Sequence, residues 1–186
     1  MDQPKKVRIT DLAAMKTARA PITMLTAYDA PFARIFDEAG VDALLVGDSV
    51  AMVVQGADST LPMTLEEILY HTRILARARK RALLIADMPF LSYQVCAEDA
   101  LRNAGRLIKE FGAEAVKLEG GIAVAETVAR LTQVDISVMG HIGLTPQSIH
   151  RMGGHRVQGN REGSAPGCRQ RLIDDANEQP RVRASE

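Results

Sequence analysis

The fold is decided by the stretch Ala-Leu-Leu-Val-Gly-Asp-Ser at residues 43–49. Its apolar residues, over Ala43–Gly47, are continuous rather than alternating, which is typical of a parallel strand covered on both faces. A polar residue, Asp48, follows where the strand should end. Runs of the same kind recur along the chain, and they predict further strands at Ile22–Tyr28, Leu83–Ala86, Ala115–Leu118 and Ser137–Gly140.

Helical stretches separate these runs. The clearest is Thr64–Lys80, where Thr64 and Glu67 form the capping-box pattern that starts a helix. Strand–helix alternation at this spacing indicates βαβ units and a parallel sheet, and so an α/β protein. The remaining predicted helices are Ile9–Thr17, Pro31–Ala39, Ala97–Phe111 and Ala123–Leu131.

The number of units indicates part of a barrel. A closed (β/α)₈ TIM barrel has eight strands and typically about 250 residues, whereas this chain has 186 residues and five recognisable strand–helix starts. We therefore predict a partial (β/α) barrel domain over residues 1–159. Residues 160–186 are poor in apolar residues, and only Arg169–Ala176 favours a helical turn. We expect this second segment to be an irregular, poorly ordered tail.

Composition excludes several classes of protein. The 23 basic and 23 acidic residues balance, so there is no electrostatic reason to expect nucleic acid or a membrane surface as a partner. The two cysteines, Cys96 and Cys168, do not form a CxxC pair, which argues against a disulfide scaffold. No apolar run is long enough to cross a membrane, and no secretory signal is visible. These features predict a cytoplasmic protein.

Ionisable residues follow four successive predicted strands. Asp48, Asp87, Glu119 and His141 each come directly after an apolar run. The carboxyl ends of parallel strands form the edge where ligands and catalytic groups collect in α/β folds. Each residue alone is more often a loop residue or a helix cap, but four ionisable residues at successive strand ends favour a functional site.

Three carboxylates without a soft ligand describe a site for a hard cation. Mg²⁺ prefers about six oxygen ligands and keeps several waters, whereas zinc would favour more histidine or cysteine. We therefore predict a Mg²⁺ site at Asp48, Asp87 and Glu119, with coordination positions left for a chelating substrate.

Three further polar residues stand beside this predicted site. Lys117 lies two residues before Glu119, so both side chains point to the same face of a strand. It is either a structural ion-pair partner of Glu119 or Asp87, or a group that binds a substrate carboxylate or a developing enolate oxygen. The Ser49 hydroxyl can donate a hydrogen bond to the same substrate carboxylate. The His141 imidazole can donate one to a bound oxygen.

Seven ordered segments resemble one enzyme family, the 3-methyl-2-oxobutanoate (ketopantoate) hydroxymethyltransferases. The resemblance runs from about residue 7 to residue 159. The segments are Leu-Thr-Ala-Tyr-Asp (25–29), Val-Gly-Asp-Ser (46–49), Gln-Gly-Ala-Asp-Ser-Thr-Leu-Pro (55–62), Ala-Asp-Met-Pro-Phe (86–90), Val-Lys-Leu-Glu-Gly-Gly (116–121), Gly-His-Ile-Gly-Leu-Thr-Pro-Gln-Ser (140–148) and Gly-Gly-His-Arg-Val-Gln-Gly (153–159).

This resemblance implies a (β/α)₈ barrel that transfers a hydroxymethyl group from 5,10-methylenetetrahydrofolate to 3-methyl-2-oxobutanoate, giving 2-dehydropantoate for pantothenate biosynthesis. It implies Mg²⁺ at Asp48, Asp87 and Glu119, and substrate contacts at Asp48, Ser49, Asp87, Lys117 and His141. It also implies a cytoplasmic homo-oligomer, typically a decamer. The chemistry agrees, because a chelated 2-oxo acid loses its C3 proton more easily when a metal stabilises the enolate.

The catalytic base is the point of departure from the family. The family's base is a glutamate at the end of the sixth strand, and no matching residue is recognisable after Gly159. A truncation or frameshift is the simplest hypothesis, and we then expect little or no turnover. Two alternatives stay open: an inactive remnant that keeps the metal and 2-oxo acid ligands, and another Mg²⁺-dependent 2-oxo acid lyase on a similar barrel.

Overall fold

The computed structural model describes residues 5–154, and these form an α/β unit around one parallel sheet. The predicted tail at 160–186, with its helical turn at Arg169–Ala176, lies outside the described residues, as does His155. The strands are β1 (Met24–Thr26), β2 (Ala43–Val46), β3 (Leu83–Asp87), β4 (Ala115–Glu119) and β5 (Val138–His141). The helices are α1 (Ile9–Thr17), α2 (Ala30–Glu38), α3 (Val50–Val53), α4 (Leu65–Ala78), α5 (Ala97–Lys109), α6 (Ala125–Thr132) and α7 (Ile149–Met152).

The sheet confirms the predicted fold class. All pairings are parallel, and the strands stand in the order β1-β2-β3-β4-β5, which is their order along the chain. Sequential parallel strands joined by helices are the arrangement of a (β/α) barrel, here over its first five units. Within the described residues, no helix combines the length and apolar character that crossing a membrane requires.

The two faces of the sheet pack differently. On one face, alternate residues such as Leu44, Leu84 and Val116 join the main core with the helices. On the other, Leu45, Ile85 and their neighbours form a smaller cluster with the N-terminal Val7 and Leu12. Every residue of β2, β3 and β4 is buried, as the continuous apolar runs predict, whereas the three residues of β1 are exposed.

Local sequence determines how the helices begin and end. The Thr64 side chain accepts a hydrogen bond from the Glu67 backbone N–H, and the Glu67 carboxylate accepts one from the Thr64 N–H, so the predicted capping box starts α4. Gly40 follows the end of α2 at a φ of +88°, a conformation that favours glycine. These signals place each helix between its neighbouring strands.

A buried carboxylate ties α2 to the start of β3. Asp37 accepts hydrogen bonds from the backbone N–H groups of Lys80, Arg81 and Ala82 at 2.6–3.1 Å. These donors precede the strand and would otherwise lack partners, so Asp37 holds the loop that leads into β3.

Candidate active site

The carboxyl ends of β2 to β5 bring the predicted residues to one edge of the sheet. Asp87, Glu119 and His141 are the last residues of their strands, and Asp48 lies just beyond β2. Strand pairing sets Asp87 opposite Lys117 and Glu119 opposite His141. The strands β3 and β4 extend one residue further than predicted, and β5 is shifted one residue towards the C-terminus, so that each strand ends on its site residue.

Asp87 is the most enclosed of the three carboxylates, with 2% of its surface exposed. Its Oδ1 forms an ion pair with the Lys117 ammonium, and its Oδ2 accepts a hydrogen bond from the Asp48 backbone N–H at 3.0 Å. Burial raises the pKa of the Asp87 carboxyl, although Lys117 acts in the opposite direction. Of the two ion-pair partners considered for Lys117, the structure therefore selects Asp87.

Asp48 carries a charge that is poorly compensated. Its carboxylate accepts a hydrogen bond from Gln147 Nε2 at 2.9 Å. Burial, and then the neighbouring negative charge of Asp87, raise the pKa of Asp48 from 3.8 to about 6. The other buried aspartate, Asp37, accepts hydrogen bonds from three backbone N–H groups, whereas Asp48 accepts one from a side-chain amide.

Glu119 bridges β4 to the segment that follows β5. Its Oε1 lies 2.8 Å from His141 Nδ1, and its Oε2 accepts the Gln147 backbone N–H at 3.0 Å. His141 therefore faces a predicted metal ligand through one ring nitrogen. Its side chain is 31% exposed, so the imidazole is also open to solvent.

Ser49 lies at the mouth of the same edge. Its hydroxyl is 2.8 Å from the Tyr28 hydroxyl, and the Tyr28 carbonyl is 2.7 Å from His71 Nδ1 on α4. A Cβ on Gly47 would stand 2.8 Å from Ser49 Oγ, which is too close. The glycine before Asp48 therefore leaves room for the serine hydroxyl. Through this contact His71 joins α4 to the backbone of Tyr28.

Sequence reasoning missed Gln147 and Tyr93. Both are buried among the carboxylates: the Tyr93 hydroxyl lies 2.8 Å from Gln147 Oε1 and accepts the Glu119 backbone N–H at 3.0 Å. Neither residue comes directly after an apolar run, so strand-end position gave no signal for them. The only available signal for Gln147 was its place in the segment 140–148, six residues after His141.

The sequence model of the ketopantoate hydroxymethyltransferases matches residues 6–182 of the chain. The chain belongs to this family. The match extends beyond residue 159, where the seven segments quoted above end.

Curated members of the family are similar over most of this chain. The 3-methyl-2-oxobutanoate hydroxymethyltransferase of Pelobacter propionicus is 56% identical over 175 residues, which are 94% of this chain and 63% of that protein. The enzyme of the same name from Geobacter metallireducens is 58% identical, over 92% of this chain and 63% of that protein. The chain thus spans about three fifths of the length of the curated relatives it matches.

Solved structures support the fold. Phosphoenolpyruvate phosphomutase from Streptomyces platensis matches with a TM-score of 0.66 at 16% identity, over 92% of this chain and 61% of that one. A 2,3-dimethylmalate lyase of the PEP mutase/isocitrate lyase superfamily matches with a TM-score of 0.62 at 19% identity, over 95% of this chain and 61% of that one. A phosphonopyruvate hydrolase in complex with oxalate and Mg²⁺ matches with a TM-score of 0.64 at 13% identity, over 91% of this chain and 59% of that one.

This chain has three buried carboxylates at the sheet edge, Asp48, Asp87 and Glu119. It has one buried ammonium there, that of Lys117. Excess negative charge in a buried site is costly and favours a cation. Within residues 5–154, no three His, Cys, Asp or Glu side chains already form a cluster that could hold a metal ion. The carboxylates bind protein donors instead, so a cation would have to replace some of these donors.

The pKa of Asp48 predicts how the metal-free chain responds to pH. Because the folded-state pKa of about 6 exceeds the unfolded value of about 3.9, the folded state binds the proton more tightly. The free energy of unfolding that protonation of Asp48 contributes is fully present below pH 4 and is lost as the pH rises through 6. The charged form costs roughly 3 kcal/mol at pH 7.

In EDTA, Asp48→Asn is expected to be more stable than the wild type at pH 7, with the difference shrinking towards pH 4. Urea unfolding of both proteins at a series of pH values measures this difference. Subtracting the two stabilities cancels the titration of groups that both proteins share, such as Asp42, whose pKa is lowered. Parallel pH profiles for the two proteins would contradict the prediction.

Proposed function

We propose that this chain takes part in transferring a hydroxymethyl group from 5,10-methylenetetrahydrofolate to 3-methyl-2-oxobutanoate, giving 2-dehydropantoate. The observation that carries the proposal is the buried group of Asp48, Asp87, Glu119 and Lys117 at the carboxyl edge of a sheet in a member of this family. We assign Mg²⁺ to the three carboxylates, and the 2-oxo acid to the same edge.

The donor set fits a hard divalent cation. All three candidate ligands are carboxylates, and their charge exceeds that of Lys117, so a divalent ion would bring this buried group close to neutral. When bound, Mg²⁺ supplies Lewis-acid chemistry that favours negative charge on a keto oxygen. The phosphonopyruvate hydrolase of similar fold was solved in complex with oxalate, a small dicarboxylate, and Mg²⁺, which supports assigning a small carboxylate ligand and this ion to the present fold.

The chain's own groups bind and orient the 2-oxo acid in this proposal. Lys117, held in place by Asp87, presents positive charge to the substrate carboxylate or keto oxygen. The Ser49 hydroxyl, oriented by Tyr28, donates to the substrate carboxylate. His141, whose Nδ1 faces Glu119, offers its other ring nitrogen to a bound oxygen.

The wider setting follows from the same proposal. Residues 1–159 form the catalytic barrel segment, and residues 160–186 form the divergent tail. The protein works in the cytoplasm of its cell as a homo-oligomer, as the family resemblance implies, with a decamer as the expected size.

The proposal is tested with the purified chain and 3-methyl-2-oxobutanoate deuterated at C3. We expect binding of the 2-oxo acid to require Mg²⁺ and to weaken roughly 100-fold, or about 2.7 kcal/mol, in Asp87→Asn. Asp58→Asn is the matched control, because Asp58 is exposed in a loop. Calorimetry measures binding of the 2-oxo acid. Loss of deuterium from the substrate shows that the C3–H bond is broken.

Family membership favours the transferase over the lyase alternative, and product formation separates the transferase from the inactive remnant. With 5,10-methylenetetrahydrofolate present, 2-dehydropantoate formed by the wild type and not by Asp87→Asn supports the transferase. Mg²⁺-dependent binding without deuterium loss or product favours the inactive remnant that keeps its ligands. A wild type that binds no 2-oxo acid in the presence of Mg²⁺ contradicts both.

A further inference from the structure

Gln147 occupies a central place among the carboxylates, although it carries no charge. It lies in the short 3₁₀ turn Pro146–Ser148 beyond β5, and 7% of its surface is exposed. Its side-chain Nε2 donates to Asp48 Oδ2 at 2.9 Å, and its backbone N–H donates to Glu119 Oε2 at 3.0 Å. One residue thus joins two carboxylates that come from different strands.

The Gln147 amide is itself held on every side. Its Nε2 also donates to the Met88 carbonyl at 3.0 Å. Its Oε1 accepts from the Tyr93 hydroxyl at 2.8 Å and from Gln94 Nε2 at 3.2 Å. Because both ends of the amide are satisfied, rotating it would break several buried hydrogen bonds. The donor to Asp48 therefore has a defined position.

A neutral donor between two carboxylates has a specific electrostatic use. Asp48 and Glu119 repel each other in a buried site, and their repulsion would turn them apart. A hydrogen bond to one oxygen of each limits that movement and leaves the second oxygen of Asp48 for another ligand. Groups that orient metal ligands in this way change metal affinity about 10- to 100-fold when removed.

We propose that Gln147 is a positioning residue that sets Asp48 and Glu119 for a divalent cation. The inference rests on the proposed function, because it needs the cation to bind at these carboxylates. It goes further than that function, because it makes the loop after β5 a determinant of metal affinity. Gln147 would act through Asp48 and Glu119 and is not itself a proposed metal ligand. The position of this loop and the affinity for the cation are therefore coupled.

The decisive variant is Gln147→Met, which keeps the length of the side chain and removes its hydrogen bond to Asp48, while the backbone N–H that donates to Glu119 remains. The matched control is Gln94→Met, because Gln94 bonds to the same amide but contacts neither carboxylate. We expect Gln147→Met to weaken Mg²⁺ binding about tenfold or more in calorimetric titration of the full chain. Gln94→Met should stay within about twofold. Mn²⁺ titration followed by electron paramagnetic resonance gives a second measure of the same affinity.

A purely structural role would give a different pattern. In that case Gln147→Met would lower the thermal unfolding temperature in EDTA, while the folded protein would bind Mg²⁺ with unchanged affinity, and the inference would be wrong. If Gln147→Met does not fold, Gln147→Asn keeps a polar side chain that is too short to reach Asp48. It should lose affinity in the same direction, because the hydrogen bond to Asp48 is removed in this variant too, and wild-type affinity would also overturn the inference.

The Asp48→Asn variant separates this inference from the function beneath it. A wild type that binds no divalent cation overturns both. A wild type whose binding is lost in Asp48→Asn, but unchanged in Gln147→Met, keeps the metal site and rejects the role of Gln147. Loss in both variants, with Gln94→Met unaffected, supports the inference.

Discussion

Replacing Lys117 by methionine is expected to lower the free energy of unfolding of the metal-free chain by about 3–5 kcal/mol. The substitution removes the only ammonium that pairs with Asp87 among the described residues, and Asp87 is almost completely buried. The carboxylate must then stay charged without a partner or take up a proton. The loss should therefore be larger at pH 8 than at pH 5, because protonation relieves the buried charge.

Urea unfolding followed by circular dichroism measures this loss. Lys109→Met is the matched control, because Lys109 is exposed near the end of α5, and its removal should change stability by less than about 0.5 kcal/mol. The double variant Lys117→Met/Asp87→Asn removes both charges and should recover much of the loss. A cost below about 1 kcal/mol for Lys117→Met alone would mean that the ion pair does not matter for folding. Added Mg²⁺ should reduce the cost, since it supplies positive charge at the same place.

Asp37→Ala is expected to destabilise the chain by about 3 kcal/mol or more, with or without divalent cations. Three backbone N–H groups, of Lys80, Arg81 and Ala82, lose their acceptor, and each buried donor left without a partner costs about 1–3 kcal/mol. Solvent reaches part of this loop, so each donor should cost about 1 kcal/mol, the lower limit, and the three together about 3 kcal/mol.

Glu38→Ala is the control for Asp37, because Glu38 is the next residue of α2 and is exposed. It should change the free energy of unfolding by less than about 0.5 kcal/mol. Independence from Mg²⁺ is the distinguishing feature of Asp37→Ala: a cost that disappeared on adding Mg²⁺ would contradict this account. Together the Lys117 and Asp37 variants compare two buried carboxylates, one neutralised by a side-chain cation and one solvated by backbone donors.

Strand and helix positions were largely predictable because each signal is local. Continuous apolar runs predicted β2, β3 and β4 to within one residue, and the capping box predicted the start of α4. The prediction for β1 was too long, since Ile22–Tyr28 contracts to Met24–Thr26. Thr23 instead donates its backbone N–H and its hydroxyl to the Asp42 carboxylate, and the Tyr28 hydroxyl contacts that of Ser49. Such competing partners are distant in sequence, so a local pattern does not reveal them.

The sequence by itself determined the parallel α/β sheet and the set of ionisable residues at its carboxyl edge. Both follow from periodicity and from the position of polar residues relative to apolar runs. Only the tertiary structure decided how these residues pair: Lys117 with Asp87 rather than Glu119, His141 with Glu119, and Gln147 with Asp48. The physical reason is that these contacts join residues from 22 to 99 positions apart, and side-chain packing at the sheet edge selects among partners that the sequence leaves equivalent.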